Sequence, residues 1–307
     1  MKILVTGAGG FLGHHLLKEL RAVNPKTFIL SPRSAQLDLL DRDSTCDYVG
    51  ARAPDVILHM AALCGGILAN QNSPADFLHA NVDMATNIFY AAKESGCKSV
   101  YSLGSVCAYP KFCPVPFKED NLWDGYPEET NAPYGMAKRL LMMLGQTYRQ
   151  QYGFTGAHFI PVNMYGEHDH FDLVNSHVIP ALLNKFVTGV KNNSAYVECW
   201  GTGEATREFL YAGDCVQAIV QAVTTGFDCA EPINLGTGQN ISIRDLAYLI
   251  KDITGFTGEI VFNGTVSDGQ PKRMLDVSRA HKYLSWNATT TLREGIKKTY
   301  EWYKATR

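Results

Sequence analysis

The most restrictive feature of the chain is its opening. A short apolar run, Ile3-Leu4-Val5, passes into Thr6-Gly7-Ala8-Gly9-Gly10-Phe11-Leu12-Gly13, and then Leu16, Leu17 and Leu20 recur at helical spacing. A strand, a glycine turn and a helix in that order bring bare backbone to the positive end of the helix, which suits a pyrophosphate. Gly7, Gly10 and Gly13 give GxxGxxG rather than GxGxxG, because position 12 is leucine. A glycine turn by itself also serves as a plain strand-helix connection, and it is the strand-turn-helix setting that favours the ligand loop.

The rest of the first half repeats this alternation. Thr27-Leu30, Asp55-Ala61, Ser99-Ser105 and His158-Met164 read as further strands, separated by longer amphipathic stretches. Such alternation predicts βαβ crossovers and a doubly wound parallel sheet of α/β class. Past Met164 the pattern changes to a His- and Asp-rich loop, a helix near His177-Phe186, a strand at Tyr196-Trp200 and glycine turns at Gly201-Gly203 and Gly236-Gly238. The expected division is therefore a dinucleotide-binding domain over 1–164 and a smaller lobe over 165–307. A segment near 213–240, with a helix over Cys215-Val223 and the apolar run Pro232-Gly236, returns to the sheet and interleaves the two.

Where NAD-binding versions of this unit place an acidic residue at the end of the second strand, this chain has none. No Asp or Glu occurs between Glu19 and Asp38, and Arg33 follows the strand in Ser31-Pro32-Arg33-Ser34. A guanidinium there suits a 2'-phosphate, which predicts NADP; a solvated loop arginine is the plainer alternative.

Composition narrows the partners. The 307 residues, 46% hydrophobic and 19% charged with a formal net charge of -2, describe a soluble globular chain with no basic block for nucleic acid or an anionic membrane surface. The first apolar stretch is too short for a signal-peptide core, and the eight cysteines form no CxxC pair, so a reduced, cytoplasmic setting is expected. His168 and His170, with Glu167, Asp169 and Asp172, lack metal-ligand spacing and read as a polar rim rather than a metal site.

Redox chemistry is suggested further along. Tyr134 and Lys138 stand four apart at the start of a predicted helix and so share one face. A nearby ammonium is expected to lower the phenol's pKa and make it a usable acid or base. Tyr-x-x-x-Lys is common, and what strengthens it is Ser105 at the end of the fourth strand, placed to hydrogen-bond a substrate carbonyl. Cys107 lies two residues beyond; its residue type alone favours a buried structural thiol, as His177 alone reads as a helix-start histidine.

Taken together, the glycine loop, Ser105 and Tyr134/Lys138 resemble the extended short-chain dehydrogenase/reductases that act on nucleotide sugars. Leu39-Leu40-Asp41, Gly65-Gly66-Ile67, the run Leu103 to Lys111, Ser176 to Leu182, and Trp200-Gly201-Thr202-Gly203 followed by Arg207-Glu208-Phe209-Leu210 resemble the GDP-L-fucose synthase family nearly end to end. That resemblance implies NADPH-dependent epimerisation at C3 and C5 and reduction at C4 of a GDP-linked keto sugar. Long helices around Asp76-Glu94 and Tyr134-Gln151 suit pairing across a homodimer, the alternative being that they only cover the sheet. The resemblance implies Ser105, Cys107, Tyr134, Lys138 and His177 as catalytic residues. For the cofactor it implies Gly7, Gly10, Phe11, Leu12, Gly13, Arg33, Asp38, Ala61, Ala62, Leu103, Pro161, Asn163 and Met164, together with Ser105, Tyr134, Lys138 and His177. For the substrate it implies Lys185, Trp200, Arg207, Asp268 and Arg273. The chain departs from the family at Lys185, where arginine is expected, and at His170, where asparagine is expected. Two alternatives stay open: a reductase or epimerase of another nucleotide sugar such as a GDP-heptose, and a non-catalytic NADP-binding sensor.

Overall fold

The computed structural model describes residues 1–172, 176–265 and 270–306. At its centre six parallel strands lie in the order β2-β1-β3-β4-β5-β9: β1 (Lys2–Thr6), β2 (Phe28–Leu30), β3 (Val56–His59), β4 (Ser99–Leu103), β5 (His158–Pro161) and β9 (Ile233–Leu235). Both faces are covered, and alternate residues of each strand point to opposite sides. Ile3, Val5, Leu58 and Tyr101 face one core with Leu12 and Leu16 of α1 (Phe11–Val23) and Val216 and Ile219 of α7 (Ala212–Thr225). Leu4, Ile57 and Val100 face the other. There they meet Val49 of α2 (Arg42–Arg52), Ile88 and Phe89 of α4 (Pro74–Ser95), and Leu141 of α5 (Ala132–Tyr152). The short α3 (Ile67–Asn72) joins β3 to α4.

A second body of structure sits beside the carboxyl ends of these strands. It holds a three-stranded sheet β10-β8-β6, made of β6 (Asn163–Tyr165), β8 (Thr206–Tyr211) and β10 (Asn240–Ser242). A parallel pair adds β7 (Tyr196–Trp200) and β11 (Glu259–Asn263). Around them lie α6 (Val178–Lys191), α8 (Ile243–Thr254) and α10 (Leu292–Ala305), whereas α9 (Ser278–Leu284) sets Ala280 and Leu284 into the first core beside α7 and β9. Leu183, Phe186, Leu246, Ile250 and Ile296 supply the apolar centre of this second body. No helix among the described residues is long and apolar enough to cross a membrane.

The sequence expectations meet this fold with two corrections. His158-Met164, read as one strand, is two: at Val162 the chain leaves the main sheet, and β6 runs beside β8 instead. Ser105, read as the last residue of the fourth strand, lies beyond it and begins a 3-10 helix over Val106–Ala108, its hydroxyl accepting from the Cys107 amide at 3.2 Å. The apolar run Pro232-Gly236 does return to the main sheet, where β9 pairs with β5.

One carboxylate stitches the two bodies together. Glu208 in β8 is fully buried and accepts from the amides of Thr237 (2.5 Å), Gly238 (2.8 Å) and Leu275 (2.7 Å). It thereby joins β8 to the turn after β9 and to the segment that precedes α9. Glu208→Ala removes an acceptor from three amides at once and should cost roughly 3–5 kcal/mol. Urea denaturation should show a markedly lower midpoint, with a smaller loss for Glu208→Gln, which keeps one acceptor oxygen.

Candidate active site

The strand order reverses between β1 and β3, and ligands of doubly wound sheets lie at such a point, beyond the strands' carboxyl ends. Gly7 holds the turn there at φ +72°, and a Cβ added to it would stand 2.7 Å from the Ala61 nitrogen. Only glycine lets β1's turn lie against β3's end so closely. Thr6 completes the join, its hydroxyl accepting from the amides of Met60 and Ala61, both at 3.2 Å. The N-cap of α1 is Gly10, which supplies no side-chain cap, and a Cβ on Gly9 would meet nothing within 4 Å. The helix end is thus uncapped beneath open space, which fits the pyrophosphate of a dinucleotide. Arg33 lies exposed in the loop after β2, and Asp38 turns its carboxylate to the Leu40 amide at 2.9 Å.

Beyond β4 the chemistry-bearing side chains converge. Lys138, 4% exposed, donates to the Leu103 carbonyl at 2.9 Å and lies 5.6 Å from the centre of the Tyr134 ring. A Cβ on Gly135 would stand 2.4 Å from the Cys107 carbonyl, so α5 touches the 3-10 helix backbone to backbone. Asn131, at the N-cap of α5, makes no capping bond and instead donates to the Cys107 sulfur at 3.4 Å. Arg273 approaches the same sulfur at 3.8 Å while its Nε donates to Gln270. Neither donor to Cys107 was read from the sequence in that role. Asparagine at a helix start suggests a cap, and the resemblance gave Arg273 to the substrate.

The expected lowering of the Tyr134 pKa is not what the structure gives. Burial pushes the phenol well above its ordinary value, the Cys64 sulfur 3.3 Å from its oxygen adds to this, and a hydrogen bond with Ser105 only partly offsets them. Burial also lowers the pKa of Lys138. Tyr134 therefore stands as a phenol, the form that donates a proton. Cys64 was not singled out in the sequence, since nothing local ties the β3–α3 loop to α5.

His177 is the N-cap of α6 and half exposed. Its partner is the buried Asp169, 3.5 Å from Nδ1. The loop holding Asp169 is fixed by His168, which takes a positive φ of +68° and stacks on His14 of α1 with ring centres 4.3 Å apart. Its other side meets Trp302 of α10. His168 thus has a packing role, and His170 is exposed. Among the described residues no group of three or more His, Cys, Asp or Glu has an arrangement that could hold a metal ion.

Farther out, Lys185 lies over Trp200 at 4.7 Å and donates to the Glu198 carbonyl, and Arg207 donates to the Thr206 carbonyl. Asn163 ties β6 to β8 by donating to the Glu208 carbonyl, with Pro161 and Met164 on either side of the step between the sheets. Ala62 is half-buried beside Ala61. Asp268 lies outside the described residues.

The sheet order and the uncapped glycine turn define a doubly wound dinucleotide-binding protein. More narrowly, the chain belongs to the NAD dependent epimerase/dehydratase family, whose profile residues 3–236 match. It is 36% identical to GDP-L-fucose synthase 1 of Arabidopsis thaliana, over 98% of this chain and 93% of that one. It is 35% identical to the GDP-L-fucose synthase of Escherichia coli K12, over 98% and 96%. Among solved structures, the GDP-mannoheptose C4 reductase of Campylobacter jejuni with NADP bound is similar at a TM-score of 0.89, with 29% identity over 99% of this chain and 98% of that one.

The His177–Asp169 pair has a consequence in solution. Desolvation opposes charge on the ring, but the Asp169 carboxylate outweighs it and raises the His177 pKa above its ordinary value. A raised histidine pKa contributes stability that is fully present below the unfolded value of about 6.5 and is lost as pH rises through the folded value. An NMR titration should therefore place the His177 midpoint above that of a free histidine. In Asp169→Asn the midpoint should fall below it, because desolvation then acts unopposed.

Proposed function

We propose that the protein is an NADPH-dependent epimerase and reductase of a GDP-4-keto-6-deoxy-hexose, yielding GDP-L-fucose or a close relative. The observation that carries this reading is the convergence, just past β4, of a phenol beside Ser105 and a thiol held by two N–H donors. Reduction needs the first group, and inverting a carbon next to a ketone needs a base such as the second.

Ser105 and Tyr134 hold the C4 oxygen and stabilise the enolate formed when a neighbouring proton leaves. Cys107 removes that proton from C3 or C5, and His177, whose charged form Asp169 favours, returns one on the opposite face. NADPH, when bound along the glycine turn, supplies the hydride to C4. Tyr134 then gives its phenolic proton to the C4 oxygen, and Lys138 restores it. Arg33 takes the 2'-phosphate, and the acidic residue that would instead serve a 2'-hydroxyl is absent. Lys185, Trp200 and Arg207 line the route to the nucleotide. The boundary at 164/165, a cytoplasmic location and a homodimer closing over α4 and α5 complete the proposal. On those helices Leu78, Tyr90, Met136 and Met143 lie exposed.

A second reading, reduction of a GDP-heptose, draws on Lys185, which offers a point charge where a guanidinium would bind phosphate in two places. The deciding experiment measures NADPH oxidation with GDP-4-keto-6-deoxy-mannose, its UDP counterpart and a GDP-4-keto-heptose. The proposal expects the first to be used best; preference for the heptose would establish the second reading, and no oxidation with any would leave a binding protein. Arg33→Ala should raise the KM for NADPH by about tenfold or more while changing that for NADH little. Tyr134→Phe should lower kcat by about a hundredfold or more with cofactor binding retained.

A further inference from the structure

A cysteine takes a proton from carbon only as a thiolate, and an ordinary thiol is mostly protonated at neutral pH. What surrounds the Cys107 sulfur therefore decides whether it can be a base. Two N–H groups approach it, from Asn131 Nδ2 at 3.4 Å and from Arg273 at 3.8 Å. Asn131 is 8% exposed and leaves its own Oδ1 buried with no hydrogen-bond partner. A capping bond at the start of α5 would have satisfied that oxygen, so the amide is turned to the sulfur at a cost.

Arg273 brings a full positive charge to the same sulfur. Its backbone amide donates to the Thr206 carbonyl of β8 at 3.3 Å, and its Nε to Gln270 Oε1 at 3.2 Å. Gln270 is itself 8% exposed, and its Nε2 donates to the Lys111 carbonyl at 2.7 Å, so both ends of the amide are engaged. Lys111 lies just beyond the 3-10 helix that carries Cys107, whereas Gln270 and Arg273 lie between β11 and α9. Arg149, Arg244, Arg279 and Arg293 each meet an Asp or Glu, but among the described residues no carboxylate lies within 4 Å of the Arg273 guanidinium. A neutral amide thus aims this side chain without cancelling its charge. A carboxylate at position 270 would hold the guanidinium as well and would neutralise it.

We propose that Gln270 is a positioning residue that holds Arg273 against Cys107 with its charge uncancelled, and that this guanidinium, with the Asn131 amide, keeps the sulfur anionic. The inference rests on the reading of Cys107 as the base of epimerisation and adds what makes it one. In the step itself the proton of the C3 or C5 carbon moves to the sulfur, and the electron pair of the broken bond passes into the enolate. The resulting thiol returns to thiolate by giving its proton to water, which reaches the half-buried Cys107. In this role Arg273 serves the thiol and not the substrate to which the resemblance assigned it.

The test is alkylation of the full chain by iodoacetamide, with modification of Cys107 read by peptide mass spectrometry, which separates it from the other cysteines. At neutral pH, Arg273→Gln should slow alkylation of Cys107 about tenfold or more, and Gln270→Glu about threefold or more. Arg273→Lys, which keeps the charge, should stay within about threefold of the wild type. At about pH 10, where a thiol ionises unaided, all the rates should converge, which separates an effect of charge from one of access. Deuterium exchange at C3 and C5 of GDP-4-keto-6-deoxy-mannose should fall in step with the alkylation rate at neutral pH. Alkylation undiminished in Arg273→Gln or in Gln270→Glu overturns the proposal, and so does a loss that persists at about pH 10. Alkylation that behaves as expected in a wild type showing no exchange overturns the epimerase reading and leaves the pairing of Arg273 with Cys107 standing.

Discussion

The hydrogen bond from the buried Lys138 ammonium to the Leu103 carbonyl is the constraint on which the site depends. It fastens α5 to the end of β4, and everything chemical is placed relative to that join. Tyr134 lies one turn earlier on the same helix face, Ser105 two residues past Leu103, and Cys107 two residues further in the 3-10 helix that Gly135 allows to touch α5. Burying an ammonium is costly, and its pKa falls accordingly. The surroundings add no second charge: His59 and His158 have pKa values lowered to about 3 by burial and by Lys138 itself, so both stay neutral.

The glycine turn works with this join rather than apart from it. Gly7 lets β1 press against Ala61, and Thr6 locks the contact, so the cofactor loop and the end of β4 belong to one rigid sheet. The second body is held to that sheet by Glu208, and its His177 pairs with Asp169, whose loop is braced by the stacking of His168 on α1. Tyr134 and Cys107 thus belong to the first body and His177 to the second. The proposed base and the proposed acid therefore sit on different supports, as inversion of a carbon requires.

Much of this was legible in the sequence, and the limits have physical causes. The glycine turn, the apolar runs of β1 to β4 and the returning strand β9 announce themselves because strand and helix periodicity are local. The break at Val162 is not local: β5 and β6 are one apolar run, and only the presence of β8 beside its second half pulls them into different sheets. At the site, residues with a motif were found, whereas their supports were not. Cys64, Asn131 and Asp169 come from separate loops and meet Tyr134, Cys107 and His177 only in the folded chain. The direction of the Tyr134 shift was misjudged for the same reason, since burial of the ring is a tertiary property and outweighs the ammonium four residues away.

The central claim is that one site both exchanges protons beside the ketone and reduces it, with Cys107 acting in the first task and Tyr134 in the second. The most direct measurement is NMR of the sugar after incubation with GDP-4-keto-6-deoxy-mannose in heavy water, without and with NADPH. The account predicts deuterium at C3 and C5 without NADPH, and a reduced product carrying both labels with it. It further predicts that Cys107→Ser loses the exchange while still reducing substrate supplied already epimerised. Exchange undiminished in Cys107→Ser, or reduction of the pre-epimerised sugar lost along with it, would contradict the account.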